Sequence, residues 1–170
     1  MPLDIGGIAT LSSPAGTTLS LDGASNWMTV NANGILSRSQ TPYMRGQISG
    51  RGTPYNAGGG PLLITAAVNV GNCWNDATGR FTCPVSGYYM TTMGNIAGQQ
   101  AGYLNIRRNG GDVHFAHWNH MCSWHYISLS CPIAANPGDY LSWHVTGLTP
   151  ATNGLYGDGG HCMYSIALMM

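Results

Sequence analysis

The chain has 170 residues with no Lys and no Glu, and six Arg balance six Asp, so the formal net charge at neutral pH is zero. Only 7% of residues are charged, against about 25% in ordinary soluble domains. The arginines are scattered apart from the pair Arg107–Arg108, which excludes a phosphate-binding surface and so nucleic acid as a partner. No apolar run is long enough for a membrane span, and a surface with so little self-repulsion favours association.

In chain order, residues 1–40 come first and read differently from the rest. Gly6, Gly7, Ser12, Ser13, Pro14, Gly16, Gly23 and Gly34 punctuate short apolar pieces. Met1-Pro2-Leu3-Asp4-Ile5 lacks the basic stretch and apolar core of a signal peptide and reads as a native start. Thr18–Leu21 and Trp27–Val30 alternate over a few residues and predict small strands. This segment is expected to be an arm or docking element. Leu3, Ile5, Leu19, Leu21 and Trp27 are its candidate grips on a larger particle.

Residues 41–170 are expected to form one domain. Short strands are predicted over about 43–49, 61–70, 79–83, 86–95, 101–108, 112–118, 123–133, 139–146 and 161–169. Leu141, Trp143 and Val145 alternate with Tyr140, Ser142 and His144, the period of a half-buried strand. Asn109-Gly110 marks a tight hairpin, and Asn136-Pro137-Gly138-Asp139 a second turn. Pro84 and Gly87 break the stretch Gly79–Tyr89 into a corner between two strands. The glycine-rich stretch 146–160 reads equally as a contact loop or as a crossover between sheets. No segment sustains a helical period, so the fold class is all-β, a sandwich or barrel.

Four features in order resemble the C1q/TNF-like jelly-roll family over about 130 residues. They are the corner Arg80-Phe81-Thr82-Cys83-Pro84-Val85-Ser86-Gly87-Tyr88-Tyr89 and the strand with Leu104 and Ile106 before Asn109-Gly110. Next comes Ala134-Ala135-Asn136-Pro137-Gly138-Asp139-Tyr140-Leu141, and last Gly154–Asp158 followed by Cys162–Met169. In the final strand Tyr164 takes the aromatic place, and Ser165 stands where the family has Gly. The resemblance implies a jelly-roll sandwich of about ten strands that assembles as a homotrimer. Phe81, Tyr88, Tyr89, Leu141, Trp143 and Tyr164 would then pack the core or the three-fold interface. The Gly/Ser/Asn-rich start and the lack of a collagen-like repeat look more like the jelly-roll modules of bacteriophage virions than like secreted animal relatives.

Chemistry-bearing clusters are thin. His114, His117 and His120 are spaced by three, which does not put strand residues on one face, and no metal site is expected. Asp112, Asp139 and Asp158 lie near turns, too dispersed for calcium; Asp139 reads as the cap of the Pro137-Gly138 turn. Ser142 and His144 share a strand face, with nothing in the sequence to orient either, and no nucleophile elbow or paired acids appear. No catalysis and no cofactor are therefore expected. Of the five tryptophans, Trp143 reads as core and Trp74 as a loop residue. The odd cysteine count leaves at least one thiol unpaired. Cys73 with Cys83 and Cys122 with Cys131 could each face across a hairpin, but reduced, mostly buried thiols are expected.

The functional expectation is a virion structural protein: a trimeric capsid decoration (cement) protein, held by its arm to the major capsid protein or a fibre subunit. The alternative is a distal tail-fibre or receptor-binding module that recognises a host surface glycan. An enzyme acting on surface polysaccharide would require paired carboxylates in one groove.

Overall fold

The computed structural model describes residues 18–19, 28–30, 36–37, 41–48, 60–97, 101–119, 125–147, 155–156 and 162–169. Leu3, Ile5, Leu21, Trp27, His120, Cys122 and Trp124 lie outside them, as does most of the stretch 146–160. The chain divides into two compact units, Met1–Thr41 and Pro42–Met170. In the first, β1 (Thr18–Leu19), β2 (Met28–Val30) and β3 (Leu36–Ser37) form an antiparallel three-stranded sheet in that order. The docking residue Leu19 falls in β1.

The second unit is an all-β, two-sheet jelly-roll sandwich. Its strands are β4 (Tyr43–Gln47), β5 (Thr65–Val70), β6 (Trp74–Asn75), β7 (Arg80–Thr82), β8 (Gly87–Ala97), β9 (Gly102–Arg108) and β10 (Gly111–Trp118). They continue as β11 (His125–Ala135), β12 (Tyr140–Thr146), β13 (Leu155–Tyr156) and β14 (Cys162–Leu168). One sheet runs β10-β9-β12-β7-β6. The other runs β11-β8-β14-β4-β5, and β13 also pairs with β8. Consecutive strands alternate between the sheets at the 79–89 corner: β7 belongs to the first and β8 to the second. Pro84 interrupts the ladder between them because it has no N–H to give.

The core lies between the sheets and follows the two-residue period. Tyr89, Thr91, Met93 and Asn95 point inward from β8, and Tyr164 and Ile166 from β14; Leu104 and Ile106 face them from β9, and Leu141, Trp143 and Val145 from β12. Trp143 is at the centre, fully buried between Trp74 (ring centroids 5.4 Å) and Tyr164 (5.3 Å). Phe81 meets Tyr89 edge-on at 5.8 Å, the geometry that the ring quadrupoles favour.

Two expectations are corrected. The strand expected over 61–70 is two things. Only Thr65–Val70 pairs with β4, whereas Pro61 bridges to His144 and the Leu62 N–H donates to the Trp143 carbonyl at 2.8 Å. The segment changes sheets, and Leu62 and Ile64 are fully buried while Leu63 is exposed. Trp74 is not a loop residue. It sits in β6, buried, with Nε1 donating to the Ile64 carbonyl at 2.9 Å, which offsets the cost of burying the indole N–H. Within the 146–160 stretch, Leu155–Tyr156 pairs with β8, in the sheet opposite β12, in line with the crossover that was one of its two readings. Strand β11 runs on to Ala135 through Pro132, which an edge strand tolerates.

Candidate functional site

The outward face of the six-stranded sheet is apolar and nearly without charge. By alternation with the buried residues it carries Tyr88, Met90 and Thr92 from β8, Met163 and Ser165 from β14, Tyr126 and Ser130 from β11, and Val68 from β5. Tyr88 is 61% exposed, Tyr126 56%, Met163 46% and Val68 39%. Among the described strand residues of this face, Arg45 alone is charged. Gly94 lets the Tyr126 ring lie flat across the sheet: a Cβ there would stand 2.0 Å from the tyrosine oxygen. Of the six residues expected in core or interface packing, Phe81, Tyr89, Leu141, Trp143 and Tyr164 are core, and Tyr88 is on this outer face.

The outward face of the five-stranded sheet is polar and ordered. The two-residue turn at Asn109-Gly110 (φ 52° and 84°) pairs Arg108 with Gly111 and Arg107 with Asp112. Arg107 Nε donates to Asp112 Oδ1 at 2.6 Å. Arg107 Nη1 donates to Nδ1 of buried His144 at 3.2 Å, and His144 Nε2 lies 3.0 Å from Ser142 Oγ. The sequence offered nothing to orient this histidine; the guanidinium does. A guanidinium only donates, so Nδ1 is the acceptor and the proton of the neutral ring sits on Nε2. His144 therefore donates to Ser142 Oγ, the reverse of the proton flow that activates a serine nucleophile. Nearby, Tyr103 contacts His117 (4.7 Å) and Phe115 (6.1 Å) on the solvent side. His114 is exposed on the other face of β10. Among the described residues no group of three or more His, Cys, Asp or Glu is placed to hold a metal.

At one end of the sandwich the two turns and the corner lock together. The Asn109 side chain donates to Asp139 Oδ1 (2.7 Å) and accepts from the Tyr140 N–H (2.9 Å). Asp139 Oδ2 accepts from the Asn136 N–H at 2.9 Å, across Pro137-Gly138. The Gly138 N–H donates to the Cys83 carbonyl and the Cys83 N–H to the Asp139 carbonyl, at 2.9 and 2.8 Å. Beyond Pro84, Tyr89 Oη donates to the Val85 carbonyl at 2.7 Å, and Gly87 starts β8.

The Asn136 N–H, then the Asn109 amide and the Arg108 charge, hold the Asp139 carboxyl below its ordinary 3.8. A depressed carboxyl stabilises the fold fully above its unfolded pKa, and that contribution is lost as pH falls through the folded value. The Asp139→Asn variant is expected to be less stable at neutral pH, with a flatter decline below about pH 4. Acid titrations followed by circular dichroism would show this, and parallel curves for the two proteins would refute it.

Burial, with Asp139 and Cys73 adding, pushes the Cys83 thiol up to about 12, and burial raises Cys73. Cys73, Cys83 and Cys131 are free thiols. The thiolate is the reactive form. Cys73 and Cys83 are expected to resist iodoacetamide at pH 8 in the folded protein and to react in urea. Mass mapping that finds either one labelled in minutes without denaturant would contradict the assignment.

Sequence reasoning missed Arg107 as the residue that orients His144. The signal was present, since a two-residue turn at 109–110 places 107 opposite 112. Gly94 and Asn69, by contrast, carry no motif.

A C1q domain model matches residues 63–140. No curated protein matches the sequence significantly. Among solved structures, the globular domain of zebrafish complement 1qA protein is similar with a TM-score of 0.60 at 14% identity, covering 76% of this chain and 98% of that one. Murine APRIL is similar with a TM-score of 0.56 at 7% identity, covering 75% and 98%. At such identities the likeness is one of fold, and residues 42–170 have the two-sheet jelly-roll fold of the C1q/TNF class.

Proposed function

We propose that this chain is a virion structural protein, a homotrimeric capsid decoration module whose 1–40 segment docks on the major capsid protein or a fibre subunit. The observation that carries the reading is the outward face of the six-stranded sheet, where Tyr88, Tyr126, Met163 and Val68 are exposed and Arg45 is the only described charge. A specific interface takes about 800 Å² from each partner, and covering apolar surface contributes about 25 cal/mol per Å². The exposed rings of this sheet face are apolar surface of that kind, and the sparse charge of the whole chain offers little repulsion against covering it. Three linked arms would add multivalent attachment to a larger object.

The test has two stages. Sedimentation equilibrium at micromolar concentration should give three times the chain mass; a well-behaved monomer ends the trimer reading. Purified protein should then co-sediment with empty shells and should lose that binding when residues 1–40 are removed from the chain. Failure to bind shells together with retained binding to cells would favour the second reading, a distal fibre module that contacts host glycan. What favours that reading is the aromatic row Tyr103, Phe115 and His117, set on the opposite sheet from the proposed trimer face.

A further inference from the structure

Between β5 and the β6–β7 hairpin opens a cleft of about 580 Å³, lined chiefly by Asn69, Asn72, Asn75, Asp76, Ala77 and Thr82. We propose that it binds one neutral sugar residue of a glycan. The inference rests on the glycan-recognising reading for the source of its ligand, and it names a different place from the aromatic row.

The volume falls in the range of small-ligand sites, about 300–1,000 Å³. The lining is pre-set by its own hydrogen bonds. Asn69 clamps the Trp74 backbone from both ends, Nδ2 donating to its carbonyl at 2.9 Å and Oδ1 accepting from its N–H at 3.0 Å. Asn75 Oδ1 accepts from the N–H groups of Ala77 and Thr78 at 3.0 and 3.1 Å. That leaves its amide nitrogen as a donor group. Asp76 Oδ1 accepts from the Ala66 N–H at 3.3 Å, and its second oxygen remains an acceptor. Asn72 stands at the turn with φ 52°. Amide donors, a carboxylate acceptor and Thr82 thus line one cleft, and adjacent sugar hydroxyls each donate and accept.

Charge and polarity exclude the other ligand classes. No Arg or His lines the cleft, and Asp76 would repel an anion. A calcium ion wants six to eight oxygens, whereas one carboxylate is present and the Asn69 and Asn75 oxygens already accept from backbone N–H groups. An apolar ligand would find little surface: of the apolar lining residues Ala66, Cys73, Trp74 and Ala77, Cys73 and Trp74 are almost wholly buried.

The experiment is a ¹H–¹⁵N titration of the full chain with glucose, galactose, mannose and N-acetylglucosamine to about 50 mM, enough to saturate a site of about millimolar Kd. Calcium chloride and sialic acid are titrated in parallel. At least one neutral sugar should give saturable shifts at Asn69, Asn72 to Ala77 and Thr82. Ala77→Trp, at an exposed turn, should weaken binding tenfold or more with the rest of the spectrum unchanged, and the near-isosteric Asp76→Asn should weaken it with the fold intact. Saturable shifts centred on Tyr103 and Phe115 overturn the cleft and leave the glycan reading standing. No shift with any sugar overturns both. A response to calcium or to the anionic sugar alone also overturns the proposal.

Discussion

Trp143→Ala is expected to cost about 3–5 kcal/mol of folding stability, the range for removing a large aromatic from a core. That is a large share of the roughly 5–15 kcal/mol that holds a domain together. Trp143 is fully exposed to the consequences because it is 0% exposed to solvent and is flanked by Trp74 and Tyr164. Its loss opens a cavity where the two sheets meet, and both neighbours lose a ring contact. Leu62 and Ile64, also at 0%, reach this centre through the crossover segment, so the collapse that could refill the space is tied to a backbone already bonded at Leu62. Trp143→Phe is the informative partner. Trp143 Nε1 is buried without a hydrogen-bond partner, and a buried orphan donor costs about 1–3 kcal/mol. Phenylalanine discards that penalty while giving up part of the volume, so its cost should be well under half that of alanine. Urea titrations of the three proteins decide the matter. An alanine variant within about 1 kcal/mol of the parent would show that the centre of the sandwich lies elsewhere.

The second large effect is on assembly. Met163→Asp is expected to weaken self-association at least 100-fold and to leave a folded monomer. Met163 lies on β14, the middle of the six-stranded sheet, paired opposite Gly94, and is 46% exposed in the single chain. As a surface residue of the monomer it can take a carboxylate at a cost near zero. In a trimer that uses this face, every copy would bring a carboxylate into an interface with hardly any positive charge, and burying an unpaired charge costs several kcal/mol. Phe115→Asp, on the opposite sheet, is the control and should stay assembled. Equal mass for parent and Met163→Asp in sedimentation, with both trimeric, would move the interface to another surface.

How much of this was legible before folding can be traced residue by residue. The inward residues of β12 were readable from alternation, but the half-buried strand it predicts is not what forms: Ser142 and His144 on the other face are buried too. The turn at Asn109-Gly110 was readable because few residue pairs accept positive φ, and with it came the register that sets Arg107 against Asp112. The corner at Pro84 was readable from a missing N–H. Trp74 was not. Its burial depends on a carbonyl ten residues away, at Ile64, and on a ring 69 positions later, at Trp143. Nor was the switch of sheets within 61–70, which follows from the Leu62 N–H finding the Trp143 carbonyl of β12 where β7 has ended.

Short-range rules acting on neighbours in the chain thus decide the all-β class, the turns and the low-charge surface, since period, φ preference and composition are local properties. Long-range contact decides the rest. Which apolar residues of an alternating strand meet the other sheet and which remain uncovered, as with Tyr89 and Tyr88, depends on which strands become partners. The wall of the Asn69 cleft takes both: Asn75 bonds the turn N–H groups two and three residues on, whereas Asp76 reaches the Ala66 N–H ten residues back only once β5 and the hairpin meet.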